Sequence, residues 1–166
     1  MMPRAISLGN VAIPFTIFAS IFLPMKLSLN ETQCHIFVYG TLKPNEENFS
    51  QYCEGKVIAQ QQAIAYGELF ALPMGYPAMI IGNAPVYGYL LSFKDVSILE
   101  SLDELEGYHS DRPKSENLYN RQQIEVFNLT QSFLGLAWVY LMTSEQISLL
   151  AGIAQPEGIW SSTTPQ

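Results

Sequence analysis

From Cys34 to Met142 the chain alternates short apolar runs with turns built on glycine and proline, a rhythm of strands rather than long helices. The first run, His35-Ile36-Phe37-Val38-Tyr39, is nearly all apolar and ends on Gly40-Thr41-Leu42-Lys43-Pro44. It reads as a buried strand that delivers its last residues into a loop. Gly40 lets a ligand approach the main chain closely. Thr41 and Leu42 then present backbone N–H groups, while Pro44 has none and stiffens the exit. Free amides beyond a strand suit a carboxylate or carbonyl oxygen, although Tyr-Gly-Thr taken alone also fits an ordinary loop start.

The pattern then predicts a short helix over 45–52, capped by Asn45 with Glu46 and Glu47 in its first turn. Gln60 to Ala71 reads as a strand around Gly67, and Leu72 to Pro77 as a turn into the strand Ala78 to Ile81. Gly82-Asn83 turns the chain into Val86 to Phe93, which carries Gly88 inside it. Tyr119 to Leu129 and Leu134 to Met142 form a hairpin, and Thr143 caps a last helix over 144–150. Several strands with interior glycines predict a sheet that curls strongly, as far as a barrel.

One helix interrupts the strands. Ile98, Leu99, Leu102 and Leu105 fall at helical spacing and give one apolar face. Ser97 and Glu100 fit a capping box, with Asp95 as a rival cap, and Gly107 stands where a left-handed C-cap is expected. Glu106 therefore lies in the last turn, where unsatisfied carbonyls disfavour negative charge and raise the carboxyl pKa. Burial pushes the same way. A carboxylate held above its solution value serves as a general base and general acid near neutral pH. The alternative is a solvated glutamate at a helix end, and the neighbouring Asp103 and Glu104 favour it.

Composition narrows the classes. A chain of 166 residues suits one domain with a real core, expected over 27–154. Its 8 basic against 15 acidic residues argue against an electrostatic nucleic-acid partner. Cys34 and Cys53 match neither a disulfide framework nor a zinc site, and with only His35 and His109 a histidine-rich metal site is not expected. Cys53 sits in a polar stretch with no histidine near it and reads as structural. No nucleophile elbow, phosphate loop, HExxH pair or dinucleotide fingerprint is present, so neither metal nor cofactor is expected.

The ends stand apart. Residues 5–25 carry no charge, between Arg4 and Lys26. A secretory signal would need a small-residue cleavage site, which Leu23-Pro24-Met25-Lys26 does not supply. A membrane anchor is weakened by Asn10, Pro14 and Pro24. The favoured reading is a start assigned too early, with Met25 as the true beginning and a cytoplasmic protein as the result. A membrane or secreted location follows only if that segment is genuine. From Gln155 onward two prolines and no apolar periodicity predict a loosely ordered tail over 155–166. No feature of the sequence sets an oligomeric state.

Five motifs in order carry a resemblance: Val38-Tyr39-Gly40-Thr41-Leu42-Lys43-Pro44, Gly67-Glu68-Leu69-Phe70, Gly75-Tyr76-Pro77-Ala78, Leu102-Asp103-Glu104-Leu105-Glu106-Gly107 and Tyr119-Asn120-Arg121. From about Cys34 to Met142 the chain resembles the gamma-glutamylcyclotransferase-like family, particularly its gamma-glutamylamine cyclotransferase branch. The resemblance implies an α+β fold, a small curled mixed sheet or barrel with flanking helices and a cavity at one end. It implies release of 5-oxoproline from a small γ-glutamyl substrate, without a cofactor. By position, Glu106 matches the catalytic glutamate, and Tyr39, Gly40, Thr41 and Leu42 match the substrate-binding loop. Tyr119 matches a tyrosine near the cavity. Arg121 reads as a partner of an acidic neighbour, and Phe70 stands where many relatives carry tyrosine. The competing reading is a binding module on the same fold, without turnover.

Overall fold

The computed structural model describes residues 29–163. The amino-terminal apolar segment, with its candidate start at Met25, lies outside the described residues. Among the described residues, seven strands and three short helices follow one another as β1 (Cys34–Val38), α1 (Phe49–Tyr52), β2 (Val57–Ala71), β3 (Pro77–Ile81), β4 (Ala84–Phe93), α2 (Ile98–Leu105), β5 (Asn120–Phe127), β6 (Phe133–Leu141), α3 (Ser144–Leu149) and β7 (Ile153–Ala154). A single 3₁₀ turn, Lys114–Glu116, precedes β5.

The sheet runs β3-β2-β4-β1-β6-β5, and one further pairing, Ile64 with Phe127, joins β5 back to β2. The strands β2, β4, β1, β6 and β5 thus close into a small barrel, as the interior glycines predict. Most neighbours are antiparallel, but β1 lies parallel to β6, so the sheet is mixed. β2 serves two partners: its first part pairs with β4, and its last residues, Gly67 to Ala71, pair with β3. Two glycines make close pairing possible. A Cβ on Gly88 would stand 2.2 Å from the Val38 carbonyl oxygen, and one on Gly67 would stand 2.5 Å from that of Ile80.

The unbroken apolar run of β1 has a simple origin, since both of its faces are buried. Phe37 and Tyr39 point inward with Val86, Leu90, Val126 and Val139. Ile36 and Val38 point outward and meet Leu99 and Leu102 of α2 and Ile147, carried by α3. The helices therefore sit on the outside of the barrel, and α2 hands Glu106 back toward the end of β1.

Some local expectations are corrected. The helix over 45–52 shrinks to the single turn of α1, because Asn45 takes a left-handed conformation (φ 70°) and forms part of the turn instead of a cap. Ser97 makes no side-chain cap; its N–H donates to Asp95 Oδ1 at 2.9 Å, so the rival residue holds the entry to α2. The tail is not loose through Trp160. β7 pairs with β2, the Gln155 N–H donates to Leu69 O at 2.7 Å, and Trp160 is only 3% exposed. A single large aromatic anchors this segment, and a periodicity test cannot register one residue. By contrast Thr143 and Gln146 form a reciprocal capping box, and Gly107 takes φ +63° at the end of α2. No helix among the described residues is long and apolar enough to cross a membrane.

Candidate active site

The strand β1 ends by releasing Tyr39 into a tight turn, closed by the Lys43 N–H to Gly40 O bond at 3.0 Å. The Asn48 N–H donates to Thr41 O at 2.9 Å, and the Asn48 side chain donates to Thr41 Oγ1 at 3.0 Å, so the start of α1 is tied to the loop. Gly40 and Leu42 are buried, yet among the described residues no acceptor takes the N–H of Gly40, Thr41 or Leu42. Buried amides without partners are rare and mark a place where a ligand completes the bonding. Gly40 is needed for contact: a Cβ there would lie 2.6 Å from Pro77 Cγ.

These residues form one wall of a cavity of about 270 Å³. Leu105 and Glu106 form another wall, Tyr119 and Tyr140 a third, and Tyr76 and Pro77 close it from the β3 side. Tyr39, Gly40, Thr41, Leu42, Glu106 and Tyr119 are thus all brought around one hollow. Met74, Leu118 and Glu47 are exposed and stand at its rim. Among the described residues, lysine, arginine and histidine are absent from the lining.

Glu106 follows the last residue of α2, and its N–H donates to Leu102 O at 2.9 Å. Burial pushes its carboxyl pKa up to about 7. Among the described residues no hydrogen bond or ion pair reaches the carboxylate, so nothing offsets the lost hydration. The expected direction therefore holds, and desolvation is its cause. Such a group exchanges protons readily at neutral pH.

The phenols around it are held firmly. The Tyr119 hydroxyl donates to Pro77 O at 2.6 Å, that of Tyr39 to Tyr140 O at 2.7 Å, and that of Tyr140 to Asp103 Oδ1 at 2.7 Å. Burial first keeps all three phenols well above their usual range and protonated; the charge of Glu106 adds to it at each, and at Tyr140 the hydrogen bond to Asp103 adds more. Arg121 pairs with Asp103 at 3.1 Å and stacks over Tyr108 and Trp138, as expected of a strand arginine beside an acid. Asp103 is thereby part of the site's support instead of a wet decoration. Phe70 lies outside the cavity wall. Both cysteines are free and buried, and burial pushes each thiol up to about 11, away from the reactive thiolate.

Tyr140 and Asn48 are lining residues that the sequence did not single out, and Tyr76, quoted there within a motif, was given no place in the site. One signal pointed to Tyr140: a hydroxyl inside the apolar run 134–142 must find a partner when buried. Its partners, however, are set by the β1–β6 pairing and the docking of α2.

The chain is 31% identical over 106 residues to the gamma-L-glutamyl-butirosin B gamma-glutamyl cyclotransferase of Niallia circulans, a match covering 64% of this chain and 66% of that protein. An AIG2-like protein from Mus musculus shares the fold with a TM-score of 0.61 at 22% identity, covering 80% of this chain and 91% of that one. YkqA from Bacillus subtilis gives a TM-score of 0.54 at 23% identity, covering 77% of this chain but only 39% of YkqA. The family described as gamma-glutamyl cyclotransferase, AIG2-like, matches residues 36–162, and with that match spanning barrel, loop and Glu106 alike, the chain belongs to this family.

Proposed function

We propose that the chain releases 5-oxoproline from a γ-glutamyl amine or peptide. The observation that carries this reading is a carboxylate with a pKa raised to about 7 in the same cavity as the unclaimed amides past β1. A γ-glutamyl group brings its own nucleophile. Its α-amine nitrogen bonds to the side-chain carbonyl carbon and closes a five-membered ring, and the bond from that carbon to the leaving nitrogen then breaks. The intramolecular geometry supplies much of the rate once the chain of the substrate is folded. Glu106 accepts the proton lost by the α-ammonium and returns it to the departing amine. The amides of Gly40, Thr41 and Leu42 supply donors for an anionic oxygen of the substrate or of the tetrahedral intermediate.

The name of the Niallia circulans relative, a cyclotransferase of a γ-L-glutamyl compound, supports the reacting half of the substrate. The leaving amine is settled by a panel of glutathione, a γ-glutamyl dipeptide, γ-glutamyl-lysine and a γ-glutamylated biosynthetic amine. Release of 5-oxoproline from at least one of them is the expected result. A melting-temperature shift with every member and 5-oxoproline from none would replace this reading with that of a binding module.

The loop gives a second expectation. Gly40→Ala sets a Cβ against Pro77, whose carbonyl holds the Tyr119 hydroxyl. Overpacking of this kind costs about 1–3 kcal/mol and displaces the pocket wall. KM for the preferred substrate should rise about tenfold, measured by initial rates, with the variant still folded by circular dichroism.

A further inference from the structure

We infer that Asn117 is a positioning residue for Glu106: its carboxamide shuts the loop 107–118 and so keeps water from the Glu106 carboxyl. The task of that carboxyl rests on the function proposed above, whereas the closure of the loop rests on hydrogen bonds alone. At its base the loop is laced to the end of α2, since the Tyr119 N–H donates to Glu106 O and the Leu118 N–H to Gly107 O, each at 3.2 Å. Residues 109–116 are all exposed, and His109, Asp111, Arg112, Lys114 and Glu116 among them carry groups that water solvates well. A span with so few apolar contacts of its own opens locally unless something else holds it.

Asn117 supplies the hold. It is a polar side chain only 3% exposed, and both polar atoms of its amide are used. The His109 N–H donates to Asn117 Oδ1 at 3.0 Å, while Asn117 Nδ2 donates to His109 O at 3.2 Å and to Asn120 Oδ1 at 3.1 Å. Asn120 Nδ2 then donates to Lys114 O at 3.0 Å. From α3 the Gln146 side chain donates to Asn117 O at 2.6 Å and to Leu118 O at 3.3 Å. A carboxamide offers an acceptor and two donors in one plane, whereas aspartate lacks the donors and leucine lacks both. A buried network satisfied in this way holds the chain in one arrangement.

The far end of the loop belongs to the site. Leu118 stands at the cavity rim and packs beside Gly107, where a Cβ would lie 3.1 Å from Leu118 Cβ, and Tyr119 forms part of the wall. Among the described residues no hydrogen bond or ion pair reaches the Glu106 carboxylate, so its protonation follows how much water the closed loop admits. The other titratable groups that share its cavity are the phenols of Tyr39, Tyr76, Tyr119 and Tyr140 and, at the rim, Glu47. Asp103, bonded to the Tyr140 hydroxyl, is paired with Arg121. Releasing the loop therefore hydrates Glu106 without bringing a counter-charge to it.

The test follows the γ-carboxyl carbon-13 resonance of Glu106 in the full chain from pH 4 to 9, assigned by its absence from Glu106→Gln. Its midpoint should lie at about 7 in the unaltered chain and at least about one pH unit lower in Asn117→Ala. Gln146→Glu should lower it as well, because it keeps the acceptor that the Thr143 N–H uses at 2.9 Å but loses both donors to the loop carbonyls. The negative charge it adds acts in the opposite direction, so a fall there reports hydration. Should Asn117→Ala fail to fold, this second variant carries the test. Val126→Ala, which weakens the barrel interior instead of the loop, should leave the midpoint in place. A midpoint near 4.5 in the unaltered chain overturns the inference, as does one that both loop variants leave unchanged or that Val126→Ala lowers equally. If the midpoint moves as expected and no γ-glutamyl compound yields 5-oxoproline, the positioning role stands and the proposed reaction falls. If 5-oxoproline forms and the midpoint does not move, the reverse holds.

Discussion

Glu106→Gln should lower 5-oxoproline release by at least the roughly 10²–10⁴-fold that general acid–base catalysis contributes. An amide keeps the size and one acceptor oxygen of the carboxylate, but it cannot take the proton from the α-ammonium or return it to the leaving amine. The same substitution should stabilise the fold at alkaline pH. The folded carboxyl titrates at about 7 against an ordinary 4.5, so the folded chain binds more proton than the unfolded one between these values. Its cost to stability therefore grows as pH rises from about 4.5 to about 7 and is complete above that, at most on the order of 3 kcal/mol. Thermal melts of the two proteins should nearly coincide at pH 5, with the glutamine variant melting higher at pH 8. A variant that is inactive because it is misfolded would melt lower at both.

Trp160→Ala should be the most destabilising single change in the tail, costing about 3–5 kcal/mol by urea denaturation. Trp160 packs into the barrel core with Phe37 and Tyr39, the two residues that lead into the substrate loop. Lys43 donates to its carbonyl oxygen and stands over its ring at 5.9 Å, and the Ser162 hydroxyl donates to Glu46 Oε2 at 2.6 Å. The carboxy-terminal segment thus holds the outer side of the loop whose inner side lines the cavity. Removing the indole should raise KM along with lowering stability. Among the described residues the buried indole N–H has no partner, which trims the loss slightly.

These two residues mark how far the sequence could be read. Glu106 was legible because its signals are local: an apolar helical face, a glycine stop and the dipole of a helix end converge on one position. The desolvation that sets its pKa was legible only as a direction, since it depends on Tyr119 and Tyr140 arriving from elsewhere in the chain. The barrel was foreshadowed by glycines within strands, but its closure rests on the Ile64–Phe127 pairing, a contact of long sequence separation with no local mark. Trp160 was missed for the same reason. Its anchoring comes from an interior it enters last, and the two prolines around it read as looseness. Asn45 shows the converse error, where good capping chemistry sits in a turn that uses its tolerance of positive φ.

The most direct test is the pH dependence of kcat/KM for 5-oxoproline release from the preferred γ-glutamyl substrate between pH 5 and 8. A rising limb with a pKa near 7 is expected, as Glu106 ionises, and that limb should vanish in Glu106→Gln. A rate that shows no limb in this range, or a limb that the glutamine variant retains, would contradict it.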